Sequence, residues 1–195
     1  MDSTRTDINL DKYHYTRDVG ISRPRPPAIV VYMLALLGAV AGIPAAIVEQ
    51  MGHSLQGISL IVLIAPIVEE ICKLLGLILL LEKRHHWLGG PAEIVILAAL
   101  SGAVFATIEN GLYIFVYAPE AKEGFVAFRL MVCTSLHVAT STVFGIGLAR
   151  VWRRMRAGRK FEIEPAMWFY VAAVALHAAY NTSVFVLSLT GVLEF

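Results

Sequence analysis

The sequence predicts an all-α fold, a polytopic membrane helix bundle with about five transmembrane helices. Hydrophobic residues make up 57% of the 195-residue chain and charged residues only 16%, and the mean hydropathy is +0.69. This composition is typical of a chain that is dissolved by lipid rather than by water. Five apolar windows are each long enough to cross a hydrocarbon core, for which about 20 residues suffice.

The first 27 residues form a polar, mixed-charge segment. A signal peptide needs an apolar core, which this segment lacks, so we expect an uncleaved cytoplasmic lead-in over residues 1–27. Residues 28–195 are expected to form a single transmembrane domain, because five spans leave no room for a separate soluble domain. The formal net charge of +1 argues against binding to nucleic acid.

Glycine and proline mark the starts of several windows. Gly52 and Gly57 precede the second window, the third begins with Gly90 and Pro91, and Pro165 opens the fifth. These residues are typical of loops and of first helical turns. The predicted spans are residues 28–48, 57–81, 91–117, 125–151 and 165–190.

Basic residues are sorted between the loops. Five Lys or Arg precede the first span, two follow the second and six follow the fourth, whereas the opposite loops carry only Lys122. Because Lys and Arg are enriched in cytoplasmic loops, we expect the N-terminus inside and the C-terminus outside. The predicted location is the cell membrane, as a multi-pass protein.

The second span contains three charged residues in its apolar run, Glu69, Glu70 and Lys73. A charge near the centre of a bilayer costs about 3 kcal/mol on insertion scales, and such groups usually face an interior site. Lys73 lies four residues after Glu69 and three after Glu70, which predicts an ion pair with one of them. Two adjacent carboxylates exceed what one lysine needs, so the pair suggests chemistry.

Other helices deliver polar groups to the same depth. With a rise of 1.5 Å per residue, Glu69, His137 and His177 all fall within roughly 2 Å of the midplane. Asn181 and Glu109 fall about 5 to 8 Å toward the outer face. This agreement predicts a shared, water-containing cavity at mid-membrane.

At these residues the chain resembles the PrsW family of intramembrane proteases, which is related to the CAAX-prenyl proteases and bacterial Abi proteins. The family patterns are EExxK, FxxxE, a further histidine and a closing HxxxD-like element. The matching residues here are Glu69-Glu70-Ile-Cys-Lys73, Phe105-Ala-Thr-Ile-Glu109, His137 and His177-Ala-Ala-Tyr-Asn181. Asn181 replaces the aspartate common in this family and is similar to the CAAX-protease pattern.

The resemblance implies a multi-pass protease that cleaves membrane-anchored proteins, in some members an anti-sigma factor. We expect hydrolysis by an activated water, with Glu69 or Glu70 as the base. Glu109, His137 and His177 would position that water, either directly or through a metal, for which zinc is the natural candidate. Asn181 could donate to the developing oxyanion, while Lys73 and Phe105 are expected to support the site.

Two rival functions use the same residues. Glu and His chains at mid-membrane also build proton relays, so a proton-coupled transporter or channel is the first alternative, although no internal repeat is apparent. A CAAX-type protease of lipidated substrates is the second. A non-catalytic scaffold that binds lipidated or peptide ligands is a third class. Retained proton flux without proteolysis, or binding without turnover, would discriminate these rivals.

Overall fold

The computed structural model describes residues 25–41 and 64–190, and the regular structure in these ranges is helical throughout. This arrangement confirms the predicted all-α fold class. The helices are α1 (Ala28–Ala41), α2 (Ala65–Arg84), α3 (Pro91–Leu112), α4 (Glu123–Phe128), α5 (Thr134–Arg156) and α6 (Glu164–Leu189). Parts of three predictions lie outside the described residues: residues 1–24 of the lead-in, and residues 42–48 and 57–63 of the first two spans.

Two helices are extended by π-helical turns. The turn Tyr113–Tyr117 continues α3, and the turn Arg129–Cys133 joins α4 to α5. The resulting rods, Pro91–Tyr117 and Glu123–Arg156, contain the predicted third and fourth spans. Pro91 and Pro165 stand in the first turns of α3 and α6, where a missing N–H costs no helical hydrogen bond.

Within residues 25–41 and 64–190, three helical rods are long and apolar enough to cross a membrane. They are Pro91–Tyr117, Glu123–Arg156 and Glu164–Leu189. α1 is apolar but its described part has 14 residues, and α2 has 20 residues and carries the charged cluster of the predicted site. The chain is therefore a membrane protein, and the count of five spans stays a prediction.

Most of the described basic residues lie at one end of the bundle, Lys73, Lys122 and Arg129 being the exceptions. Arg25, before α1, forms an ion pair with Glu93 at the start of α3. The indole N–H of Trp152, near the end of α5, donates to the carbonyl of His85, just after α2, at 3.1 Å. The end of α2, with Lys83 and Arg84, therefore lies beside the end of α5, with its arginines. The distribution of basic residues among the loops predicts that these two ends are on the same side.

Small residues allow the helix backbones to approach closely. A Cβ at Gly76 of α2 would collide with the carbonyl oxygen of Leu34 in α1. A Cβ at Gly102 of α3 would lie 2.5 Å from the carbonyl oxygen of His137 in α5. Close packing through small residues is a main source of helix association in lipid. At Gly102 it also fixes the position of His137.

The contact at Gly76 predicts a position-specific effect of a single methyl group. Gly76→Ala should destabilise the protein by about 1 to 3 kcal/mol, since the added carbon must push α1 away from α2. Gly111→Ala on α3 is the matched control, because a Cβ there meets nothing within 4 Å. Thermal unfolding in detergent measures both, and equal midpoints for the two variants would contradict the close contact.

Candidate active site

The polar groups of four helical segments meet at a cavity of about 260 Å³. Its polar wall contains predicted site residues from α2, α3, α5 and α6, namely Glu69, Glu109, His137, His177 and Asn181. The remaining wall is largely aromatic and apolar and includes Tyr113, Phe125, Phe128, Tyr180, Val184 and Phe185. The cavity thus places ionisable groups beside a surface suited to an apolar segment.

Lys73 is the centre of the buried network. Its side chain is fully buried, and its ammonium group donates to Glu70 Oε1 and to His137 Nδ1, each at 2.7 Å. Glu69 Oε2 lies 3.5 Å from the same nitrogen. The Phe105 ring lies beneath the ammonium, 4.7 Å from nitrogen to centroid, a distance at which a cation and an aromatic face attract.

Glu70 is enclosed in the protein and does not line the cavity. Its Oε1 atom also accepts hydrogen bonds from Thr140 Oγ1 at 3.0 Å and from His177 Nδ1 at 2.8 Å. Because a carboxylate only accepts, Nδ1 of His177 carries the hydrogen and Nε2 presents a lone pair. That Nε2 atom lies 3.9 Å from Glu69 Oε2. Glu70 therefore orients His177 toward Glu69.

His137 connects Lys73 to Glu109. Since Nδ1 accepts from the ammonium, Nε2 carries the hydrogen and faces Glu109 Oε2 at 2.7 Å. The Phe105 ring packs against His137 in an edge arrangement, 5.3 Å between centroids, and the ring of His177 lies 5.1 Å away at 86°. Both faces of the imidazole are thus restricted by neighbours.

Arg129 completes the network at its far end, and the sequence analysis assigned it no role. Its guanidinium lies 3.2 Å from Glu109 Oε1 and stacks over the Tyr113 ring at 3.7 Å. Its Nε atom donates to Asn110 Oδ1 at 3.1 Å, and Asn110 Nδ2 donates to the Arg129 carbonyl. Arg129 begins a π-helical turn, a feature common at functional sites. A charge inside an apolar window was the signal that could have found it.

Two further residues that contact the site were not predicted from the sequence. Thr140, three residues after His137, was not recognised as a partner of Glu70. Cys133, inside the fourth apolar window, lines the cavity, and its Sγ lies 2.8 Å from the Tyr180 hydroxyl. Cysteine and threonine are common in apolar helices, so neither carried a usable signal in the sequence.

Three donor residues at the cavity could hold a metal ion, on the condition that His137 Nδ1 exchanges its contact with the Lys73 ammonium for the ion, because Nε2 carries the hydrogen that faces Glu109. Among the described residues, one group of three could hold an ion: Glu69, His137 and His177, with ligand atoms within 4.8 Å of one another. All three side chains are buried. Two ligand atoms on one tetrahedral zinc ion are about 3.3 Å apart, close to the 3.9 Å between Glu69 and His177. Histidine held from behind by a carboxylate is typical of metal sites.

This group differs from the expected set in one member. The sequence predicted Glu109, His137 and His177 as a possible set, which stays a prediction, and the group within ligand distance here contains Glu69 in place of Glu109. Glu109 Oε2 and His137 Nε2 are 2.7 Å apart, which is hydrogen-bond distance and too short for two ligands of one ion. Charge also favours a cation here, because within the described part of the chain three carboxylates, Glu69, Glu70 and Glu109, lie beside two lysine or arginine side chains, Lys73 and Arg129.

A comparison with known protein families gives one result. The profile of a family described as PrsW family intramembrane metalloprotease matches residues 26–194. This range contains the cavity and all four sequence motifs. No curated protein and no solved structure matches the chain.

The position of Lys73 predicts a large effect on stability. Lys73→Met should destabilise the protein by about 3 to 5 kcal/mol, because it leaves Glu70 buried without its cation. Lys83→Met on the same helix is the control, since Lys83 is 65% exposed and should change stability by about 0.5 kcal/mol or less. Chemical unfolding in detergent compares them. A Lys73→Met variant as stable as the control would contradict the role of Lys73.

Proposed function

Because the chain belongs to the PrsW family of intramembrane metalloproteases, we propose that its cavity hydrolyses a peptide bond of a membrane-anchored protein with a water activated at the glutamate and histidine cluster. The family assignment confirms the resemblance found in the sequence, and the protein is a membrane-embedded protease. One observation carries the proposal: Glu69, His137 and His177, from three helices, present ligand atoms within 4.8 Å of one another.

We assign a resident zinc ion to Glu69, His137 and His177. Two histidines and one glutamate are a common set in catalytic zinc sites. When bound, such an ion supplies the Lewis acid that activates water and polarises the scissile carbonyl. Glu70 would act behind His177, because its carboxylate fixes the hydrogen on Nδ1 and leaves Nε2 free to bind. Lys73 would hold Glu70 in place from the other side.

Glu109 is the proposed proton acceptor. Of the carboxylates among the described residues, only Glu69 and Glu109 line the cavity, and Glu69 belongs to the proposed ligand set. Arg129 and His137 hold the two oxygens of Glu109. The water gives a proton to Glu109, its oxygen bonds to the scissile carbonyl carbon, and the proton then passes to the amide nitrogen as the C–N bond breaks.

Asn181 would stabilise the negative charge that develops on the carbonyl oxygen. It follows His177 by one helical turn and lines the same cavity, so its amide can donate beside the histidine. The substrate would be a single-span membrane protein, such as an anti-sigma factor, whose apolar segment contacts the aromatic wall. We propose a multi-pass location in the cell membrane, with the N-terminus cytoplasmic.

A first test compares two glutamates of α2. Glu69→Gln should reduce cleavage of a library of single-span membrane peptides by a factor of at least about 10³, because a neutral amide binds a metal ion poorly. Glu82→Gln on the same helix should keep full activity, since Glu82 pairs only with Lys83 at the surface. Full activity of Glu69→Gln, or proton flux in liposomes without any cleavage, would overturn the proposed chemistry.

A second test measures metal content. The purified protein should contain one zinc ion per chain, and His177→Ala should lose it, because the change removes one of three protein ligands. His86→Ala is the control, since His86 lies outside the cavity after α2. Elemental analysis after dialysis gives the stoichiometry. If the wild-type protein is active without a metal and is insensitive to chelators, the zinc site is wrong. Glu69 would then be the general base, one of the two candidates that the sequence predicted.

A further inference from the structure

A second cavity of about 450 Å³ lies between α1 and α2, away from the active site. Its lining consists mainly of leucines and the glycine pair at the helix contact, Gly38 and Gly76. Because the glycines have no side chains, the two helices touch through their backbones and leave a groove beside the contact. Leu37 and Leu79 border it and are 57% and 48% exposed. The groove therefore faces the surroundings of the bundle.

The groove follows one face of α2 for two turns. Its α2 lining residues are the pairs Leu75 and Gly76, Leu79 and Leu80, and Lys83 and Arg84, which repeat every four residues and so share a face. Eight residues of helix correspond to about 12 Å. The groove is therefore an apolar surface about two helical turns long, a length that an acyl chain can follow.

One end of the groove is basic. Lys83 and Arg84 line it together with Trp87, and the Arg84 guanidinium lies 5.6 Å from the Trp87 ring centroid. Lys83 contacts Glu82 at 2.6 Å, but this exposed pair holds its lysine weakly. Tryptophan beside basic residues is typical of the membrane interface. The groove thus runs from a basic interfacial end into an apolar interior.

We propose that this groove binds an anionic phospholipid, with an acyl chain between α1 and α2 and the headgroup phosphate at Lys83 and Arg84. Charge complementarity selects the ligand, because the two cations match a headgroup with net negative charge, whereas a zwitterionic headgroup brings a competing cation of its own. The apolar lining then fits the acyl chain. The bound lipid bridges α1 to α2, the helix that carries Glu69, Glu70 and Lys73.

Tryptophan quenching tests the site without reference to proteolysis. Trp152→Phe and Trp168→Phe leave Trp87 as the single tryptophan, and the protein is reconstituted in phosphatidylcholine vesicles. Phosphatidylglycerol or phosphatidylcholine, brominated near the carbonyl end of the acyl chain, is then titrated. At Trp87 we expect a preference for phosphatidylglycerol of about 30-fold, which corresponds to about 2 kcal/mol from two cations.

Two controls separate a site from general attraction to the surface. A variant with Trp168 as the single tryptophan should show no such preference, because Trp168 is 83% exposed on α6. In the Trp87-only protein, Lys83→Gln with Arg84→Gln should abolish the preference, whereas Arg153→Gln with Arg154→Gln should keep it. Equal preference at both tryptophans, or a preference that survives the loss of Lys83 and Arg84, would overturn the proposal.

Discussion

The buried ammonium group of Lys73 is the interaction on which the rest of the site depends. An isolated charge at this depth would cost about 3 kcal/mol or more, and here it is compensated by Glu70, His137 and the Phe105 ring. Each partner comes from a different helix or a different turn. The same contacts that make the charge tolerable therefore bring α2, α3 and α5 together, and Glu70 extends the connection to α6 through His177.

Two adjacent glutamates of the same helix have different environments. Neighbouring residues on an α-helix point about 100° apart, so one side chain enters the protein when the other enters the cavity. Glu70 points inward and is held by hydrogen bonds from Thr140, His177 and Lys73. Glu69 lies on the cavity wall. One helical step thus produces one carboxylate that is enclosed among hydrogen-bond donors and one that lines the cavity.

The network continues as an alternation of charges and rings across the bundle. From His177 it passes through Glu70, Lys73, His137 and Glu109 to Arg129. Every side chain in this series is restricted by at least one neighbour, so the orientation of each imidazole follows from its hydrogen bonds. Gly102 makes the series continuous, because it lets α3 approach the backbone of His137. Preorganisation of this kind is what hydrolysis by a positioned water requires.

Much of the fold and part of the site follow from the sequence alone. Apolar windows located the third, fourth and fifth spans, because an apolar helix satisfies its own backbone polar groups in lipid. The fixed rise per residue predicted that Glu69, His137 and His177 lie at one level, and their ligand atoms are within 4.8 Å of one another. The motifs around Glu69, Phe105 and His177 also pointed to the protease family.

The tertiary structure decided what helical rise cannot, namely how each helix is rotated about its axis. Rotation brings ligand atoms of Glu69 and of both histidines within 4.8 Å of one another, places Glu109 against His137, and hides Glu70 behind His177. It also brings Arg129 onto both Glu109 and Asn110 of α3. The sequence by itself determined the family and predicted that the site residues of different helices share one level. Side-chain partners came only from the packing, because a helix in lipid is turned by its neighbours and not by its own pattern of residues.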